Sequence, residues 1–304
     1  MNKSGKSVIE FSVEQITESS TAKINKVVIK KQSRQLTDDA VILEQPLQIT
    51  LVWYDNSEKI QQTNTQVFSI TMRTPGNDKQ LILGLLMSEG VIESITDIVE
   101  ISANSVEKNN NLWEVNLQRG VVPELSSLDR YQMTYSSCGL CGTTSLKSLE
   151  LKDPPVLSEQ KSNFSVSDIL SMPNIMRKHQ SLFKVTGGSH AAALFHGNKL
   201  LDLREDIGRH NAVDKLFGGL LESRNLRNNQ TDSGVLACVV SGRVSFEIVQ
   251  KTVMAGVPIL IAVGAPSDLA ITAAKRFNLT LIGFTSGDGF NVYHGEWRLQ
   301  EYEE

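Results

Sequence analysis

The last seventy or so residues constrain the fold most. Apolar runs rich in β-branched residues, "VLACVVS", "VPILIAVG" and "LTLIGF", alternate with "SFEIVQKTVMAG" and "SDLAITAAKRFN", which have helical spacing, and "FNVYH" closes the series. A strand that is apolar at successive positions must be covered on both faces. The alternation therefore predicts right-handed βαβ units and a parallel sheet between two layers of helices. Ligands of such sheets lie at the carboxyl ends of the strands, here where "VVSGR", "VGAPS" and "GFTSGDG" turn. Just upstream, "HAAALFHGNKLLDLRED" reads as two strands joined by a Gly-Asn turn.

The first half has a different grammar. In "VILEQPLQITLVW" the residues Leu47, Ile49, Leu51 and Trp53 share one face with period 2, a half-buried strand, and "VFSITMRT" is a second. "PGNDKQLILGLLMSEG" reads as a helix with Asn77 or Asp78 as cap, an apolar stripe of Leu81, Leu85 and Leu86, and Gly90 at its end. "DIVEIS" and "LWEVNL" add two short strands. The expected architecture is an α/β protein: a polar, loosely ordered arm over residues 1–40, a smaller α+β subdomain over 41–150, and an α/β domain over 165–304. The connection is the proline-bearing "LKDPPVLSEQKSNFS".

Composition removes several classes of function. Thirty basic side chains against thirty-four acidic ones give a net charge of -4, so binding nucleic acid through bulk charge is not expected. The amino terminus lacks the apolar core of a signal peptide, and "VPILIAVGAP" is too short to span a bilayer, so a cytoplasmic chain with no membrane partner is expected. Three cysteines do not make a disulfide framework.

Two of those cysteines, Cys138 and Cys141, form the Cys-x-x-Cys of "SSCGLCG". A structural zinc site would want a second such pair, and there is none. A thioredoxin-like centre would place the pair between a strand and a helix of a βαβ unit, whereas this pair follows "SSLDRYQMTYSS". A zinc deaminase would need H-x-E upstream of P-C-x-x-C, but Ser137 stands in place of the proline and the sole H-x-E is the downstream "HGE". Two inert cysteines at a turn are a further reading, although buried thiols rarely sit between glycines in a polar loop. The last is a thiol carrier: a thiolate takes the outer sulfur of another protein's persulfide and passes it on, with Gly139 and Gly142 permitting the backbone freedom that carrying needs. Cys238 in "VLACVV" is expected to pack in a strand.

Elsewhere charge is concentrated in "LREDIGRHNAVDK", where Arg204, Glu205, Asp206, Arg209, His210, Asn211, Asp214 and Lys215 surround the start of a helix. A solvated helix end could carry any one of them; the whole set suits an anion site at a helix amino terminus. "SGRVSFEIVQK" repeats the arrangement with Arg243 and the cap Ser245, and "VTGGSHAAAL" puts His190 beside paired glycines. Neither G-x-G-x-x-G nor a Walker loop is present at these spacings.

Taken together, "TPGNDKQLILGLLMSEGVI", "SSCGLCG", "TGGSHAAAL", "REDIGRHNAVDK", "SGRVSFEIVQKTVMAGVPILIAVGAPSDLA" and "LTLIGF" closely resemble the formate dehydrogenase accessory protein family, FdhD, over about residues 40–295. The resemblance implies a sulfurtransferase that accepts persulfide sulfur from a cysteine desulfurase and delivers it to the molybdenum cofactor, in its bis-molybdopterin guanine dinucleotide form, for apo formate dehydrogenase. It also implies a cytidine deaminase-like α/β/α core without the zinc site, no protein-ligated metal, and a homodimer. Carried over by motif, Cys138 bears the persulfide with Cys141 assisting. The segment 284–289, Phe284, Thr285, Ser286, Gly287, Asp288 and Gly289, matches a segment implicated in cofactor binding, and His190, Arg209, His210 and Arg243, read from the charged helix starts and paired glycines, are the candidates to join it. Many relatives have an arginine where Thr285 or Ser286 stands here. A non-catalytic cofactor-binding chaperone with a redox-regulatory Cys-x-x-Cys is the alternative.

Overall fold

The computed structural model describes residues 20–55, 62–104, 110–123, 154–161, 164–226 and 235–300. Strands β1 (Thr21–Lys30) and β2 (Ser33–Ile42) pair antiparallel along their whole length, so residues 21–42 are a hairpin where the polar composition predicted a loose arm. Its cohesion is a backbone ladder that leaves most side chains exposed, and such a hairpin prints no apolar alternation in the sequence. The buried Ser20 Oγ ties its base down by donating to the Pro75 carbonyl at 3.0 Å.

The next unit follows the pattern closely. Strands β3 (Gln45–Asp55), β4 (Gln62–Arg73), β5 (Ile98–Ala103) and β6 (Leu112–Leu117) form a sheet in the order β4-β3-β6-β5, with β3 and β6 parallel. Leu47, Ile49 and Leu51 are fully buried and Trp53 nearly so, as period 2 requires. Helix α1 (Asp78–Ser88) starts at Asn77, whose φ is 54° and whose side chain makes no cap bond; Asp78 instead receives a bidentate pair from buried Arg73 at 2.9 and 3.0 Å. Every residue from 81 to 88 is buried, not only the predicted stripe, because α1 is enclosed on all sides.

The second half supplies helices α2 (Val166–His179), α3 (Ser181–Thr186), α4 (Arg209–Leu226), α5 (Phe246–Met254) and α6 (Asp268–Arg276). Its strands are β7 (His190–His196), β8 (Lys199–Asp206), β9 (Leu236–Val240), β10 (Ile259–Ala262), β11 (Thr280–Ser286) and β12 (Gly289–His294). The sheet order is β12-β11-β10-β9-β7-β8. Strands β9, β10 and β11 are parallel as expected, but the sheet is mixed and not wholly parallel: β7 runs antiparallel to both β8 and β9, and β12 antiparallel to β11. The short turns at 197–198 and 287–288 enforce the β7–β8 and β11–β12 pairings, since two residues can only reverse a strand.

Successive residues of the sheet feed different cores. Ala192, Leu194, Cys238, Val240, Leu260 and Leu281 face α1, α4, α5 and α6, whereas Ala193, Phe195, Val239, Ile261 and Ile282 face α2. The first of these cores also contains Leu47, Ile49, Leu51 and Leu81, so both halves of the chain share it. Helices α1 and α4 cross with backbones in contact: a Cβ on Gly84 would lie 2.0 Å from the Asp214 carbonyl oxygen, and one on Gly218 1.9 Å from that of Gln80. No helix among the described residues is long and apolar enough to cross a membrane.

Candidate functional site

The charged run at 203–215 divides into two groups with different duties. Asp206 and Lys215, both fully buried, pair at 2.8 Å; Asp206 also accepts from the amides of Thr74 and Gly208, and Lys215 donates to the Thr74 carbonyl at 2.9 Å. Glu205 accepts from the amides of Leu182 and Phe183 and from Ser189 Oγ, all at 2.6–2.8 Å. Asn211 donates to the Met72 carbonyl, and Arg204 reaches Asn77 and Asp202. These groups sew the two halves together. Their charges are spent on internal partners, which removes them from an anion site.

Arg209, His210, Arg243 and His190 are different. They come from the first turn of α4, the loop after β9 and the first residue of β7, and they meet at the carboxyl end of the parallel strands. A Cβ on Gly242 would stand 3.5 Å from His190 Nδ1 and 4.0 Å from Arg209 Cδ, so the Ser-Gly-Arg turn lies directly against both. Burial, and after it Arg209, hold His190 below the ordinary imidazole range, with Arg243 adding to the effect and Asp206 opposing it. Burial pushes His210 down to about 3, helped by Lys251, Arg209 and His190, so its ring is neutral at physiological pH. Among the described residues neither Arg209 nor Arg243 is held in an ion pair, in contrast to Arg73, Arg204 and Lys215.

Segment 284–289 adjoins this cluster through the backbone. Gly264 N–H donates to the Gly242 carbonyl and Phe284 N–H to the Gly264 carbonyl, each at 3.1 Å, so the three turns are laddered side by side. Gly264 must be glycine for that, because a Cβ there would lie 2.9 Å from the Gly242 oxygen. Phe284 sits at φ 53° with its ring half exposed beside the crevice. Ser286, Gly287 and Asp288 are exposed in the hairpin turn and Gly289 opens β12, whereas Thr285 points inward and is buried, its hydroxyl without a hydrogen-bond partner among the described residues. Cys138 and Cys141 lie outside the described residues. Cys238 is fully buried, and burial drives its thiol far above the ordinary range, which makes it inert.

Sequence reasoning missed a connected set behind the cluster. Glu247 Oε2 lies 3.1 Å from His210 Nδ1, and Ser245 Oγ lies 3.3 Å from His210 Nε2. Buried Lys251 reaches Asp214 at 2.9 Å, Ser88 Oγ at 3.1 Å and Glu247 at 3.7 Å. The four-residue spacing of Glu247 and Lys251 on a helix was a visible signal for that pair; the contact with His210, 37 residues away in the chain, was not. Among the described residues no group of three or more His, Cys, Asp or Glu could hold a metal ion.

Comparison with known proteins gives one consistent answer. A sulfur carrier protein FdhD of Streptomyces avermitilis is 42% identical over 274 residues, covering 86% of this chain and 89% of its own. One of the same name from Sulfurisphaera tokodaii is 40% identical over 274 residues, covering 89% and 96%. In three dimensions the chain superimposes on a putative formate dehydrogenase accessory protein from Desulfotalea psychrophila with a TM-score of 0.65 at 23% identity, covering 92% of this chain and 99% of that one. The mixed α/β fold is thus that of a solved accessory protein. Because the family model for FdhD/NarQ matches residues 55–300, and relatives near 40% identity extend over most of the chain, this protein belongs to the FdhD/NarQ family.

Proposed function

We propose that the protein is a sulfur carrier required for formate dehydrogenase activity. The Cys138 thiolate attacks the outer sulfur of a cysteine desulfurase persulfide, forming a new S–S bond and releasing the desulfurase thiolate, while Cys141 assists or resolves the product. The sulfur is destined for the molybdenum cofactor in its bis-molybdopterin guanine dinucleotide form, which is bound here as a substrate. The observation that carries this reading is the cluster: two arginines without an ion pair among the described residues, two neutral imidazoles and three laddered turns at the carboxyl ends of β9, β10 and β11. Guanidinium forks suit pyrophosphate oxygens. The half-exposed Phe284 ring offers a face on which a guanine can stack.

The same reading places the protein in the cytoplasm as a homodimer with a cytidine deaminase-like core. The helices on both faces of the mixed sheet are consistent with that core. The test is mass spectrometry of the 136–142 peptide after incubation with cysteine and a desulfurase. The carrier gains one sulfur there, the Cys138→Ala variant gains none, and formate dehydrogenase activation in cells fails with it. An unmodified peptide would leave the Cys-x-x-Cys as a redox element of a cofactor chaperone.

A further inference from the structure

Behind the crevice, three side chains are arranged as a hydroxyl, an imidazole and a carboxylate in series. Ser245 Oγ is 3.3 Å from His210 Nε2, and His210 Nδ1 is 3.1 Å from Glu247 Oε2. A carboxylate cannot donate, so the short Nδ1 contact fixes the proton on Nδ1. That leaves Nε2 as acceptor for the Ser245 O–H; burial, Lys251 and Arg209 push the resting ring's pKa down to about 3, so it takes the proton only in concert with Oγ–carbon bond formation, with Glu247 at 3.1 Å bearing the imidazolium as it forms. Glu247 is itself anchored by Lys251 at 3.7 Å, and Lys251 is held by Asp214 and Ser88, so the carboxylate is braced from the core.

Ser245 is also placed as a nucleophile would be. It sits between β9 and α5, on the loop after the strand and at the first turn of the helix, and its side chain makes no capping bond there, so the hydroxyl is committed to His210. The side chains of His210 and Glu247 remain 23% and 34% exposed and Ser245 is half-buried, so the three can be reached from solvent, while Lys251 behind them is buried. Amide groups of the first turn of α5, which have no partner within the helix, lie next to Ser245 and suit a developing oxyanion.

We propose that Ser245 is a nucleophile activated by His210 and positioned by Glu247, giving this crevice an ester-cleaving activity toward small anionic carboxylic esters. In the step, the Ser245 proton passes to His210 Nε2 as Oγ bonds to the ester carbonyl carbon. The C–O bond to the alcohol then breaks and His210 returns the proton to the leaving oxygen. Water repeats the sequence and releases the carboxylic acid, restoring Ser245. Preference for an anionic ester comes from Arg209 and Arg243, which flank His210 and Ser245 in the chain and carry no internal ion pair among the described residues. This activity neither uses Cys138 nor rests on the sulfur-carrier reading.

The experiment is labelling of the full chain with a fluorophosphonate probe, located by peptide mass spectrometry, alongside hydrolysis of p-nitrophenyl acetate and p-nitrophenyl hemisuccinate. The expected result is a label on Ser245, absent in Ser245→Ala. In His210→Gln the labelling rate should fall about 100-fold or more, the usual reach of general-base catalysis. The hemisuccinate should be cleaved faster than the acetate, and Arg243→Ala should narrow that gap. Thermal unfolding of each variant confirms that it is folded; Ser245→Ala removes no cap bond, only the contact with His210, and should melt within a few degrees of the parent. An unlabelled Ser245 in the folded parent, or a label that forms equally fast in His210→Gln, would overturn the proposal.

Discussion

Replacing Lys215 by Met separates the structural charges from the crevice charges more sharply than any other single change. The substitution keeps the volume and apolar stem but deletes the ammonium that meets Asp206 at 2.8 Å, the Thr74 carbonyl at 2.9 Å and the Glu205 carbonyl at 3.4 Å. Breaking one member of a buried pair typically costs about 3–5 kcal/mol, because the remaining charge keeps its desolvation penalty and loses its counter-ion. Here Asp206 retains the amides of Thr74 and Gly208 at 3.0 and 2.8 Å and Asn211 at 3.2 Å, which partly compensate. The lower end, about 3 kcal/mol, is therefore expected. For a chain of this size that corresponds to a fall in Tm of roughly 6–12 °C. Guanidinium titration of Lys215→Met, Asp206→Asn and the double variant checks it. The double should lose less than the sum of the singles, since neutralising Asp206 relieves the stranded charge. A Lys215→Met protein within about 1 kcal/mol of the parent would refute the assignment of this pair to the seam.

Arg209→Ala and Arg243→Ala should leave stability within about 0.5 kcal/mol of the parent yet weaken GDP binding in calorimetry. Equal affinity for GDP and ADP would count against guanine recognition. Gly84→Ala should destabilise despite its better helix propensity, which contributes only about 1 kcal/mol. The new Cβ, 2.0 Å from the Asp214 carbonyl oxygen, forces α1 and α4 apart, and a melting point at or above the parent's would show the crossing to be looser than described. His210 should make the fold acid-sensitive. Its native pKa is pushed down to about 3 from 6.5, so between those values the unfolded chain binds a proton that the native one does not. Stability is complete above about pH 6.5 and falls as the pH drops toward 3, by up to about 2 kcal/mol at pH 5. His210→Gln should flatten that part of the profile, as read from denaturant titrations at pH 7.5 and 5.

Where neighbours in the chain are also neighbours in space, the sequence alone determined the outcome. Period 2 at Leu47, Ile49, Leu51 and Trp53 and the apolar runs of β9, β10 and β11 encode which surfaces must leave water, and the buried side chains match. The turns that end those strands come side by side for the same reason: a βαβ order places its loops at one edge. Tertiary structure alone decided which charges in "LREDIGRHNAVDK" are free. Asp206 and Lys215 find Thr74 more than a hundred residues upstream, whereas Arg209 beside them finds no counter-ion among the described residues, and no local property of the chain distinguishes the two cases. The same holds for the hairpin at 21–42, whose ladder satisfies the backbone without an apolar face, and for the line from Ser245 through His210 to Glu247. A charge is structural or functional according to the partner that desolvates it, and that partner is chosen by the packing of α1 against α4, not by the residues on either side of it in the chain.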